Sequence, residues 1–236
     1  MAAAMALVPP RQVTSGYFRN NLYVLLGLNV LATLVSLAAP EQFVLAPPLV
    51  GAIACYIGGA LWLYEKPMAG RWALCLIALL DLAGGWLSPR PLGLTTTAHV
   101  LFDADLITGG LVLGTTMAAM LLGHWYLNSP TMALAPLRRL IWIMGGAIAL
   151  RTLTDGLGLS LELQAATWPS QGVLLFILLR WLAGIFGAAG LTVMAWKTLL
   201  IPNTQSATGI LYVGVIATFI GELVSLLLSS STAYPL

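Results

Sequence analysis

A chain of 236 residues with 59% hydrophobic residues, 8% charged residues and a mean hydropathy of +0.93 lies far from the soluble balance of about a quarter charged. Most of it must sit in lipid. A formal net charge of +2, carried by scattered basic residues, excludes the Lys and Arg stripe of a nucleic-acid binder.

The opening stretch MAAAMALVPPRQ has no charged n-region, and Pro9 and Pro10 interrupt its apolar run, so it does not read as a cleaved signal peptide. Residues 1–20 are expected as a cytoplasmic N-terminal segment, with the first span acting as an uncleaved insertion signal. Crossing the hydrocarbon takes about 20 apolar residues in a helix rising about 1.5 Å per residue. Such runs fall near 21–39, 43–64, 71–87, 103–126, 137–158, 172–196 and 207–229, with a short outer tail at 230–236. Breakers stand between them at Pro40, Lys66-Pro67, Ser88-Pro89-Arg90-Pro91, Ser129-Pro130, Pro169 and Pro202. The expected fold is all-α: a polytopic membrane protein forming one compact bundle of seven transmembrane helices, without a soluble domain.

Orientation follows from the basic residues of alternate connections. Arg11, Arg19, Lys66, Arg71, Arg138, Arg139 and Lys197 fall on one side and Arg90 alone on the other, which predicts a cytoplasmic N-terminus, a non-cytoplasmic C-terminus and a bacterial inner membrane. Trp62, Tyr64, Trp86, Trp125, Tyr126, Trp168 and Trp196 lie near span ends, where amphipathic rings favour the headgroup level. Cys55 and Cys75 both lie inside apolar runs, so no disulfide is expected.

Lipid tails remove the hydrophobic drive for helix association, so small residues must supply close packing. Gly58-Gly59, Gly109, Gly110, Gly114, Gly145-Gly146, Gly184, Gly187 and Gly190 suit tight backbone contact, or else room for a flat ligand such as a quinone, carotenoid or porphyrin. Pro47 and Pro48 are the exceptions to helix centres otherwise nearly free of proline, a pattern that favours a rigid scaffold over a rocking carrier.

With this orientation, Asp81, Asp103, Asp105, Arg151, Asp155, Arg180 and Glu222 all fall in the outer half of the membrane, brought there by five helices. Arg151 and Asp155 are four apart and share a helical face, which makes them a ready ion pair. Arg180 is then left for Asp81, Glu222 or both. Five carboxylates against two guanidiniums leave an excess that a low-dielectric layer holds only with a bound proton, a cation or a water-filled cleft. The alternative is that Asp103 and Asp105 cap the start of the fourth helix while Asp155 meets interfacial water. Ionisable residues inside a span are functional candidates by default, and that applies to Asp81, Arg151, Arg180 and Glu222.

A second polar group is predicted at the cytoplasmic face: His124, Tyr126, Arg138, Arg139, Asn203 and Gln205. Imidazole, phenol and amide groups suit a quinone ring or a lipid headgroup. The plainer account is that Pro202 stops the sixth helix, Thr204 or Ser206 caps the seventh and the arginines meet anionic lipid. A bis-histidine haem is excluded, because His99 and His124 share one segment and stand about 37 Å apart along a helix. No ligand cluster for zinc or copper is present, and the last span has no lysine for a retinal Schiff base.

Three functions compete. The first is a membrane subunit of a larger redox complex, an anchor for cytochrome or iron–sulfur partners with a quinone as the candidate cofactor and the outer acids accepting its protons. The second is a transporter or channel for protons, cations or a small solute. The third is a ligand-free structural or assembly protein whose charges only fix helix order.

Overall fold

The computed structural model describes the chain except for residues 42, 89–94, 130, 166–169, 202 and 231. The expected breakers Pro89, Arg90, Pro91, Pro130, Pro169 and Pro202, and the interfacial Trp168, lie outside the described residues. Among those described, all regular structure is helical: α1 (Ala2–Ala6), α2 (Ser15–Ala38), α3 (Ala46–Leu63), α4 (Pro67–Leu87), α5 (Thr96–Asn128), α6 (Ala135–Ala165), α7 (Gln171–Leu179), a π-helical segment (Arg180–Gly187), α8 (Ala188–Thr198) and α9 (Thr204–Ser229). Among the described residues, seven helices are long and apolar enough to cross a membrane, with α7, the π segment and α8 running on as one span, Gln171–Thr198. This is an integral membrane protein.

Local chemistry sets several ends. Pro47 and Pro48 lie in the first turn of α3 and not at a helix centre, and Pro67 opens α4, where a missing N–H costs nothing. The Thr95 hydroxyl accepts the Ala98 N–H at 3.3 Å and starts α5 well before residue 103. Asp103 and Asp105 therefore lie inside α5 and do not cap it. Asn203, where Thr204 or Ser206 was expected, caps α9: its Oδ1 accepts the Ser206 N–H at 3.0 Å.

Where the sequence reads as one bundle, the helices cluster into two compact units. The first, Met1–Pro91 with Thr131–Pro136, holds α1 to α4. Its core takes Phe18, Leu22 and Leu25 from α2, Cys55 and Trp62 from α3 and Leu74 and Ile77 from α4, and Phe18 stacks on Trp62 with centroids 3.9 Å apart. Residues read from sequence only as part of an N-terminal segment form α1, which buries Ala2, Ala4, Met5 and Ala6 and packs on α4.

The second unit, Leu92–Pro130 with Leu137–Leu236, holds α5 to α9, and α9 packs on α5, α7, the π segment and α8. The π segment and α9 meet at Gly184 and Gly221, so closely that a Cβ on Gly184 would stand 2.6 Å from the Gly221 Cα. Large apolar side chains such as Leu153, Leu175, Leu182 and Leu226 are exposed on the outer faces, as suits lipid contact.

Candidate functional site: a buried network of acids and arginines

Within the second unit, α5, α6, the π segment and α9 bring five ionisable side chains together. On α5, Asp105, Thr108 and Gly109 share a face, being three and four residues apart. Arg151 and Asp155 stand one turn apart on α6, Arg180 opens the π segment, and Glu222 and Ser225 are neighbours on α9. Arg151 and Arg180 are 2% and 1% exposed and are the largest fully buried side chains among the described residues.

Arg151 is the hub. Its Nε and Nη2 donate to Glu222 Oε1 and Oε2 at 3.1 and 2.7 Å, a two-pronged match of planar groups. Nη2 also donates to Ser225 Oγ at 3.0 Å. Nη1 donates to the Asp105 carboxylate, to the Asp105 main-chain oxygen at 3.2 Å and to Thr108 Oγ1 at 3.3 Å. Thr108 in turn is 3.2 Å from the Thr154 hydroxyl. Asp155 Oδ1 lies 3.4 Å from Arg151 Nε.

Arg180 closes the network differently. Its Nη2 is 2.5 Å from Asp155 Oδ2 and 3.2 Å from Glu222 Oε1. Neither approach is aligned as a hydrogen bond, and Arg180 Nε meets no acceptor among the described residues. Charge and packing, more than directed bonds, hold this guanidinium. Space for it comes from glycine: a Cβ at Gly221 would stand 2.8 Å from Arg180 Nη1, and one at Gly109 would stand 2.7 Å from Glu222 Oε2.

Three carboxylates, Asp105, Asp155 and Glu222, thus face two guanidiniums. With every group ionised the network carries one excess negative charge, which burial makes costly unless a proton or cation neutralises it.

The other residues singled out in the sequence fall elsewhere. Asp81 belongs to the first unit, where it is exposed and lies near Asn29 and the Met1 amino group. Asp103 is half-buried on α5, two positions before Asp105. Of the second group, His124 Nδ1 is 3.2 Å from Tyr212 Oη, both exposed, and Tyr126 is buried against the Leu137 backbone. Arg138 Nη2 donates to the Leu199 main-chain oxygen at 2.6 Å and so closes the C-terminal end of α8. Asn203 serves as the cap of α9, while Arg139 and Gln205 are exposed.

Sequence reasoning missed Thr108, Ser225 and Tyr212. The first two stand three residues after Asp105 and Glu222, a helical spacing that marks them as polar neighbours of those acids. Nothing local flags Tyr212, whose link to His124 spans 88 positions. Near the same ends of α6 and α8, Ile141, Trp142, Gly145, Thr192, Val193 and Trp196 line an apolar groove of about 230 Å³, with the two indole rings 5.6 Å apart. Comparison with known proteins finds no match among protein families, curated proteins or solved structures, so the functional argument rests on this geometry.

Proposed function

We propose that this chain is a proton-linked transporter or channel, moving protons themselves or a cation or small solute coupled to them, with the Arg151–Glu222 network as its titrating core. The observation that carries the reading is the unequal count of charges in a buried layer: three acids to two arginines. A purely structural set of ion pairs needs matched charges, whereas a surplus carboxylate gives a proton or cation a reason to bind. On the orientation expected from the basic residues, in a bacterial inner membrane, this core lies in the outer half.

The test is flux. In proteoliposomes carrying an internal pH dye, the unmodified protein should dissipate or couple to a proton gradient, and Glu222→Gln should abolish that signal. Unchanged flux in Glu222→Gln and Asp155→Asn alike would remove the reading. A ligand-free structural role would show itself differently: Asp155→Asn combined with Arg180→Gln would restore what either change alone had lost.

A second reading, the membrane subunit of a redox complex with cytochrome or iron–sulfur partners, draws support from the groove between Trp142 and Trp196. Its apolar lining, with Gly145 among the residues, suits a quinone ring or isoprenoid tail. Purification in mild detergent followed by organic extraction decides it: a colourless, quinone-free, functional monomer would end this alternative.

A further inference from the structure

Past the last turn of α9 the chain doubles back onto the second unit. Thr232 Oγ1 lies within hydrogen-bond distance of the main-chain oxygens of Leu228 and Tyr234, at 3.0 and 2.7 Å, and can donate to either. The N–H groups of Ala233 and Tyr234 both donate to Glu162 Oε2 on α6, at 3.0 and 3.1 Å. The Leu236 N–H donates to Ser229 Oγ at 3.1 Å. The Leu236 side chain, 4% exposed, completes an apolar cluster with Val224 and Leu228, packed against Leu159, Val173 and Ile177. At Gly158 the Pro235 main-chain oxygen comes so near that any side chain there would strike it.

Ser225 joins this tail to the network. Its hydroxyl donates to the Leu236 main-chain oxygen and accepts from Arg151 Nη2. One hydroxyl therefore separates the Leu236 main-chain oxygen from the guanidinium that grips Glu222. At Glu162 the attachment is partly exposed: one half-buried carboxylate oxygen holds two amides, Ala233 is exposed and Tyr234 is half-buried, whereas Pro235 and Leu236 beyond them are buried. Short segments held by solvent-exposed backbone bonds open locally at less than the global unfolding cost.

We propose that the seat of Leu236 is the access route to the Arg151–Glu222 network, and that residues 232–236 are its removable plug, with Glu162 as the catch. When the plug lifts, Ser225 and Arg151 face the membrane surface at that end; when it seats, the network is closed. The word access rests on the transport reading, whereas the plug itself rests on the contacts alone.

Two measurements separate those parts. The free cysteines Cys55 and Cys75 are replaced by alanine, Pro235→Cys is introduced at a buried position, and its labelling by a membrane-impermeant maleimide is timed. Labelling should be slow in this background and several-fold faster with Glu162→Ala. It should be faster again with Gly158→Val, which pushes the tail away without touching the catch, and slow in Glu162→Gln, whose amide oxygen accepts the same two bonds. Equal rates in all four proteins would overturn the plug. Proton flux should rise with labelling in Glu162→Ala. Faster labelling without a rise in flux, in a protein whose flux Glu222→Gln still abolishes, would overturn the route. No flux in any protein, the unmodified one included, would end the transport reading and leave the catch standing on the labelling alone.

Discussion

At the scale of single residues, the two arginines are not equivalent. Arg151 gives Glu222 two directed bonds and spends its remaining donors on Ser225, Thr108 and Asp105, whereas Arg180 approaches Asp155 and Glu222 at ion-pair distance but off axis. Glu222→Gln should therefore destabilise the protein more than Asp155→Asn, because it trades a charge-assisted pair for neutral bonds at the best-aligned contact. Arg151→Leu should be the most damaging, at about 3–5 kcal/mol, since it strands two carboxylates in a buried layer. Thermal unfolding in detergent measures all three; Asp155→Asn proving the costliest would contradict this ranking. The ionisable residues were legible because an Asp, Glu or Arg in an apolar run is conspicuous. Their hydroxyl partners were not, because Thr and Ser are ordinary in membrane helices and most of them bond the carbonyl one turn back, as Thr116 and Thr192 do.

At the scale of the element, the glycines separate into those that make a contact and those that face open space. A methyl group at Gly184 or Gly221 would meet the backbone of the opposite helix and crowd the Arg180 guanidinium. Gly184→Ala should accordingly cost about 1–3 kcal/mol, the usual penalty for overpacking. At Gly110 and Gly146 nothing stands within 4 Å, so alanine there should be neutral or stabilise the helix by about 0.5–1 kcal/mol. Denaturation of these single variants in one detergent distinguishes the classes, and a uniform response would show that the division is mistaken. Spacing alone does not separate them: Gly184, Gly187 and Gly190 recur every three residues, yet Gly190 faces open space. The run suits tight backbone contact, and the stretch Arg180–Gly187 that carries Gly184 and Gly187 is a π segment. A π turn carries an extra residue and is a feature that gathers at functional sites, here at the arginine that reaches across to Asp155.

For the whole molecule, seven crossings by the candidate spans among the described residues would put residues 1 and 236 on opposite sides of the membrane. The basic residues predict which side is which, and a reporter active only outside the cytoplasm should work when fused after residue 236 and fail when fused before residue 1. The reverse pattern would place the network in the inner half and invert the direction of the proposed access route. Apolar length and punctuation determined the helical class and the number of spans by themselves, because a chain in lipid must satisfy its backbone internally and helices do so within each segment. Only the tertiary structure decided which acids share an arginine. Depth along a helix can be counted from sequence, but the direction a side chain faces depends on which neighbours pack beside it. Asp81 and Glu222 look alike as isolated acids in apolar runs, yet Asp81 belongs to the first unit beside Asn29, and Glu222 lies in the second, where the helices of Arg151 and Arg180 meet it.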